Sequence, residues 1–351
     1  MTTLPATMRA AVYKGDRRLE VEERTTPDLG PHDVLLEVSH CGVCGSDIHH
    51  VLEGWGAKNT IGGHEFSGRV VAVGDAVTSW KPGDEVIGGP SARCGECEFC
   101  LAGRPSLCAG RGAVGESDSF QGAFADYVKV RDAELLRVPD GLSLRHAALT
   151  EPLAVALHGI TRSGVQPGQR ALVTGAGPIG SLTVAALVAK GVTDVVVSEP
   201  SPVRRALCER LGARTVEPDS LVPPPSPNYL VDDPFDVALE CSGNARAMEA
   251  ALSQLKRTGT LVLVGAGIKP PRFDPNRILL NELVVTGAFC YDGGGFDAAL
   301  ALLASPGFPR DELVEPDDVS LDGLLGAIER LSSGEIPAKV LVAPSRRGMQ
   351  T

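Results

Sequence analysis

A chain of 351 residues, 43% hydrophobic and 22% charged, has room for two domains with sizeable cores and an ordinary globular composition. Its net charge of −11 leaves no excess basic face for phosphates and argues against a nucleic-acid partner. No uncharged apolar run reaches membrane-spanning length, and residues 1–10 lack the apolar core of a signal segment, so no membrane partner and a cytoplasmic location are expected. In chain order, the first part reads as β-rich, with short β-branched or alternating runs at 8–14, 33–39, 66–73 and 85–88. Residues 80–84 (Trp-Lys-Pro-Gly-Asp) read as a turn with Gly83 left-handed. Helical spacing begins around 151–162. Strands at 171–174, 194–198, 237–240, 260–264 and 284–288 then alternate with helices at 179–190, 202–211 and 245–255. That rhythm implies a parallel sheet with helices on both faces. The proline-rich stretch 218–234 reads as a surface loop. A helix at 321–332 and a strand at 338–342 end the chain, the strand being able to rejoin the first domain. No internal repeat interrupts this order.

Nine cysteines require an account, and in a reducing cytosol clustered cysteines favour metal ligation or catalysis over disulfides. Cys94, Cys97, Cys100 and Cys108 are spaced to wrap a tetrahedral zinc at about 2.3 Å, and four thiolates leave no open position, so this zinc is structural. A redox Cys-x-x-Cys is the lesser alternative. A second set is mixed: the thiol of Cys44, the imidazole of His64 and the carboxylate of Glu65 suit a zinc with a vacant or water-filled position. Adjacent His and Glu point to opposite sides of a regular strand, which leaves one of them open to a supporting role behind the ligands. Cys41, Cys208, Cys241 and Cys290 read as small buried hydrophobes.

The third feature is Gly175-x-Gly177-Pro178-Ile179-Gly180, which follows an apolar strand and opens a helix, with Glu199 ending the next strand. Such glycines let the backbone approach a pyrophosphate resting on the helix N-terminus. Glu199 can accept both adenosine-ribose hydroxyls and would repel a 2′-phosphate, which favours NAD. Arg204 and Arg205 keep NADP open.

With these motifs the chain resembles the zinc-dependent medium-chain dehydrogenase/reductase family of the alcohol dehydrogenase superfamily, in particular its sorbitol, butanediol and threonine dehydrogenase branch. The resemblance covers nearly the whole chain and rests on residues 42–49 (Gly-Val-Cys-Gly-Ser-Asp-Ile-His), 62–65 (Gly-Gly-His-Glu), the four-cysteine lobe, Glu151-Pro152 and the glycine motif. It implies that Cys44 rather than Cys41 holds a catalytic zinc, with His64 and, as in the polyol branch, Glu65. Glu151 stands where enzymes of short-chain alcohols carry a cysteine ligand. Three roles are open to it: zinc ligand, alternation with water, or hydrogen bonding to that water. Ser46 is implied to take the substrate proton and pass it through the cofactor ribose toward His49 and solvent. Val264, Gly265 and Phe289 are implied contacts of the nicotinamide half. Cys290 occupies a position where sorbitol-type enzymes often carry arginine, which casts doubt on sorbitol itself as substrate. Lys339 reads as an exposed lysine, an approach to cofactor phosphates being the second reading.

The expected fold is α/β: a GroES-like β-rich catalytic domain (1–155, with the zinc lobe at about 90–112), a doubly wound Rossmann domain (156–295), and a C-terminal segment (296–351) returning to the first. The expected activity is hydride transfer between a secondary alcohol (polyol, vicinal diol or hydroxylated ring) and NAD, giving a ketone. Alternatives are an L-threonine or simple-alcohol dehydrogenase or ketone reductase with the same site, and a non-catalytic NAD-binding zinc protein. The resemblance implies a homodimer or homotetramer. Wall residues are sought in 51–60, 116–120 and 290–296, with Trp55, Phe120 and Tyr291 as candidates.

Overall fold

The computed structural model describes residues 4–89, 94–110 and 121–345. The wall candidates at 116–120, Phe120 among them, lie outside the described residues. The chain opens with a hairpin of β1 (Thr7–Gly15) and β2 (Arg18–Thr25), turned by Asp16 and Arg17 at φ 51 and 62. β2 carries mostly charged residues and forms the edge of a three-stranded antiparallel sheet, β1 pairing on its other side with β4 (Thr60–Ile61). Between them come β3 (Asp33–Gly42) and the short helix α1 (Gly45–Leu52). β3 pairs antiparallel with β5 (Glu65–Val73), which pairs with β6 (Glu85–Gly88). Gly83 takes φ +96 in the expected turn before β6.

A one-turn helix, α2 (Glu98–Leu101), lies in the four-cysteine lobe, and β7 (Tyr127–Arg131) and β8 (Leu136–Arg137) complete the larger sheet. Alternate apolar positions of these strands, Val34, Leu36, Phe66, Val86 and Val128 among them, form one buried core. Two consecutive helices, α3 (Leu144–Ala147) and α4 (Thr150–Ser163), then lead into the second half.

There a six-stranded sheet follows the order β11-β10-β9-β12-β13-β14, with every pair parallel. Its members are β9 (Arg170–Thr174), β10 (Asp194–Ser198), β11 (Arg214–Val216), β12 (Phe235–Glu240), β13 (Leu255–Leu263) and β14 (Val284–Gly287). Helices α5 (Pro178–Ala189), α6 (Pro202–Arg210), α7 (Ala245–Ser253), α8 (Pro275–Asn281) and α9 (Gly295–Ala304) connect or flank them. β9, whose central Ala171, Leu172 and Val173 are fully buried, sits where the strand order reverses, the position at which such sheets bind ligands.

Within 218–234 the regular structure is one short 3-10 turn, Pro218–Ser220. The chain returns through α10 (Leu324–Ser333) to β15 (Leu341–Val342), which pairs antiparallel with β3 at Cys41 and Gly42. The expected last strand thus rejoins the larger antiparallel sheet through β3, though its ladder covers only the final part of 338–342.

Candidate active site and four-cysteine lobe

The first site is built at the end of β3, the start of α1 and the start of β5. Cys44 is the N-cap of α1, and its backbone N–H donates to Asp47 Oδ2 at 2.8 Å. His64 stands just before β5, not within it, because Gly63 at φ +93 turns the chain. A Cβ at Gly63 would lie 2.8 Å from both Cys41 Sγ and the Phe124 nitrogen. This turn cancels the strand alternation, and the donor atoms of Cys44, His64 and Glu65 come within 4.8 Å of one another. Glu65 faces Gly42 across the β3–β5 ladder, where a Cβ would stand 2.1 Å from its Oε2, so the carboxylate occupies the space that the glycine leaves.

Behind Glu65 lies a residue whose reading must be corrected. Lys339 is not an exposed lysine: its side chain is 1% exposed, and Nζ lies 2.8 and 2.7 Å from the two carboxylate oxygens of the fully buried Glu65. Nζ also donates to Val43 O at 3.1 Å. Burial alone would push the Lys339 ammonium down, but Glu65, Cys44 and Glu151 together raise it above its ordinary value. A buried carboxylate next to a thiol needs a cation, and the last strand supplies it.

His64 feels the same balance. Withdrawal from water pushes its imidazole down, yet the Cys44 thiol, Glu151 and Asp47 outweigh that and hold it well above its usual range. Asp47, 3% exposed, is raised mainly by burial and is stabilised as an anion by His64. Sequence reasoning left out Asp47. Its signal is the capping-box spacing from Cys44 to Asp47. Glu151, 6% exposed in the first turn of α4, bears electrostatically on His64 and Lys339, but is not among the three donors that converge. The hydroxyl of Ser46 is buried without a hydrogen-bond partner, and His49 lies on the same helix face one turn on. His50 is exposed.

The second cluster is the lobe. Cys94, Cys97, Cys100 and Cys108 bring their sulfurs within 4.8 Å of one another. Backbone N–H groups donate to these sulfurs: Cys94 to Cys108, Cys97 to Cys94 and Cys100 to Cys97, at 3.3–3.5 Å. The Cys97 thiol is drawn down to about 6, chiefly by the amides of Cys100 and Ala109, and burial pushes Cys100 up to about 12. Four sulfurs caged by amides fit a four-coordinate thiolate metal.

The dinucleotide cradle lies at the C-terminal ends of β9, β10, β12 and β13. Gly175 is at φ +87, Gly177 is the N-cap of α5, and Pro178 is its first residue. At Gly180 a Cβ would fall 2.0 Å from Gly175 O, so only glycine allows the turn to close on the helix. Glu199, 4% exposed, accepts from Ala176 N at 2.7 Å and Ser201 N at 2.8 Å, which places the carboxylate against the glycine turn itself. Arg204 donates to Ile336 O and Leu331 O, and Arg205 to Glu199 O and Pro200 O. Both arginines are thus engaged with backbone carbonyls. Val264 N and Gly265 N both donate to Glu240 O, while Phe289 is 58% exposed before Cys290, which takes φ +51. Cys41 and Cys208 are buried as expected; Cys241 and Cys290 are only half-buried. Trp55 is 57% exposed against His49, and Tyr291 is buried against Phe296.

A doubly wound parallel sheet with a glycine cradle, joined to an antiparallel-sheet domain bearing a mixed Cys-His-Glu cluster, defines a zinc-dependent nicotinamide oxidoreductase acting on alcohols. Comparison with known proteins gives the family. The alcohol dehydrogenase GroES-like domain matches residues 30–140, and the zinc-binding dehydrogenase domain matches 178–305. Sorbitol dehydrogenase of Bacillus subtilis is 34% identical over 98% of this chain and 99% of its own. Two solved structures are similar along their whole length. The 2R,3R-butanediol dehydrogenase of Bacillus subtilis has a TM-score of 0.81 at 31% identity, over 96% of this chain and 100% of that one. A zinc-binding dehydrogenase of Sinorhizobium meliloti bound to NADP has a TM-score of 0.83 at 32% identity, over 97% and 100%. The chain belongs to the zinc-dependent medium-chain dehydrogenase/reductase family.

Proposed function

We propose that this protein oxidises a secondary alcohol on a polyol, vicinal diol or hydroxylated ring to the ketone with NAD. The observation that carries the reading is the convergence of Cys44, His64 and Glu65 within 4.8 Å, beside the partnerless hydroxyl of Ser46. Cys44, His64 and Glu65 would hold the catalytic zinc, which supplies Lewis acidity toward the alcohol oxygen. Glu151 bears on His64 electrostatically, and Lys339 holds the Glu65 carboxylate in place. Ser46 Oγ takes the hydroxyl proton as it gives its own onward, and His49 passes a proton to solvent. The Gly175–Gly180 turn, with Val264, Gly265 and Phe289, would seat the nicotinamide cofactor. NAD rather than NADP is supported by Glu199 standing against the turn, and by Arg204 and Arg205 being held by carbonyls.

Cys94, Cys97, Cys100 and Cys108 would hold a second, structural zinc. The working division is a catalytic unit of residues 1–155 and 296–351 around a Rossmann unit of 156–295. A cytoplasmic location fits the clustered free thiols; among the described residues no helix is long and apolar enough to cross a membrane. A homo-oligomer is supported by β14, an open sheet edge on which Val284 is 50% exposed, near Leu279 at 71% and Leu280 at 55%. The test is nicotinamide reduction with NAD and with NADP across primary alcohols, vicinal diols, polyols, cyclitols and threonine. Turnover centred on one secondary-alcohol class with NAD is expected. Preference for primary alcohols, or for NADP, would overturn the substrate or the cofactor part separately.

A further inference from the structure

His49 is gripped by two groups for which the proton path has no use. Its Nδ1 lies 2.6 Å from Glu53 Oε2, one helical turn on. Its ring stacks on Trp55, with centroids 4.8 Å apart and 19° between the planes. The backbone N–H of Trp55 in turn donates to His49 O at 3.2 Å, which ties the Trp55 main chain to the end of the helix. Trp55 is 57% exposed, so the indole is not spent on filling a core. A carboxylate that accepts from Nδ1–H selects one tautomer and leaves Nε2 as the basic nitrogen.

We propose that Glu53 is a positioning residue of the alcohol reaction, holding His49 against Trp55 with Nε2 free to receive and discharge the proton. The inference rests on His49 being the outlet of the proton path. Only O–H and N–H bonds change: Ser46 Oγ takes the substrate hydroxyl proton as it gives up its own, a proton is taken up at His49 Nε2 and released to water, and the His49 Nδ1–H stays hydrogen-bonded to Glu53.

An ordinary surface i,i+4 pair would leave proton release unmoved, so kinetics decide. Wild type, Glu53→Ala, Glu53→Gln and His49→Gln are mixed with NAD and a turned-over alcohol, and proton release is followed by an indicator dye in stopped flow. Cofactor affinity is read separately from NADH fluorescence. Removing His49 should slow release about tenfold or more, within the range of general-base assistance. Glu53→Ala should slow it several-fold, Glu53→Gln less. Added imidazole should restore both Glu53 variants, with NADH affinity unchanged. Wild-type release in Glu53→Ala beside slow His49→Gln would overturn the role of Glu53 and leave the proton path standing. Wild-type release in His49→Gln would overturn the path itself. A Glu53→Ala defect that imidazole leaves untouched and that also weakens NADH binding would mark a structural role and overturn the proposal.

Discussion

At the scale of single residues, the strongest constraint is the Glu65–Lys339 pair, both members essentially out of water. Truncating one partner of such a pair leaves the other charge buried and costs about 3–5 kcal/mol. Lys339→Met should therefore lower the melting temperature sharply in calorimetry, and Lys339→Met with Glu65→Gln should recover much of the loss. An unchanged melting temperature in the single variant would mean that the lysine bears no buried charge. His64 sets a pH dependence. Because Cys44, Glu151 and Asp47 hold its folded-state pKa above the ordinary value of about 6.5, the protonated form is favoured in the chelated protein. That stabilisation is complete below the ordinary value and fades as pH rises through the raised one. Zinc must displace this proton, so zinc affinity should fall as pH falls, and loading zinc into the stripped protein should acidify a weakly buffered solution. Constant affinity from mildly acid to mildly alkaline pH would contradict it.

The ligand candidates Cys44, His64 and Glu65 were legible because their residue types announce chemistry. Lys339 was not, since nothing local in its segment reports a carboxylate 274 positions earlier. Strand alternation would part the adjacent His64 and Glu65, but Gly63, left-handed, places His64 outside the strand and lets both donor atoms converge.

At the scale of elements, legibility followed periodicity. β10 matches its expected bounds, and β6 does too; α5, α6 and α7 differ from theirs by at most two residues, α10 begins at Leu324 rather than at 321, and α8 and α9 were not foreseen. The matched elements are long or apolar enough for pattern to decide. β2, an exposed charged strand, and the one-turn helices α2 and α3 have no such pattern and exist because neighbours pair or cap them. Cys97 caps α2 by accepting from Cys100 N, so the helix depends on the sulfurs around it. Chelation should loosen residues 94–110 before either sheet, giving local proteolysis and fast amide exchange there while circular dichroism changes little. Simultaneous loss of the sheets and the lobe would show that the lobe is not a separate unit of stability.

At the scale of the whole molecule, the second half reaches across to the returning C-terminal segment. Ser201 Oγ donates to Gly334 O at 3.0 Å, and Arg204 donates to Leu331 O and Ile336 O, satisfying carbonyls at the end of α10. The cradle and the Cys44–His64–Glu65 cluster are thereby held to one frame, which no local reading of either motif reveals. The open β14 edge points outward from this frame. A lysine there should weaken self-association, so Val285→Lys should shift the mass seen by light scattering toward the monomer if two copies pair along that edge; an unchanged mass would place the contact elsewhere.

The most direct measurement compares NAD reduction by wild type and Cys44→Ala on the best secondary alcohol of the panel, with zinc content and melting temperature read on the same samples. Two zincs per chain and turnover are expected in the wild type. In Cys44→Ala one zinc, retained folding and turnover lost by several orders of magnitude are expected. Full turnover in a folded Cys44→Ala protein that has lost that zinc would contradict it.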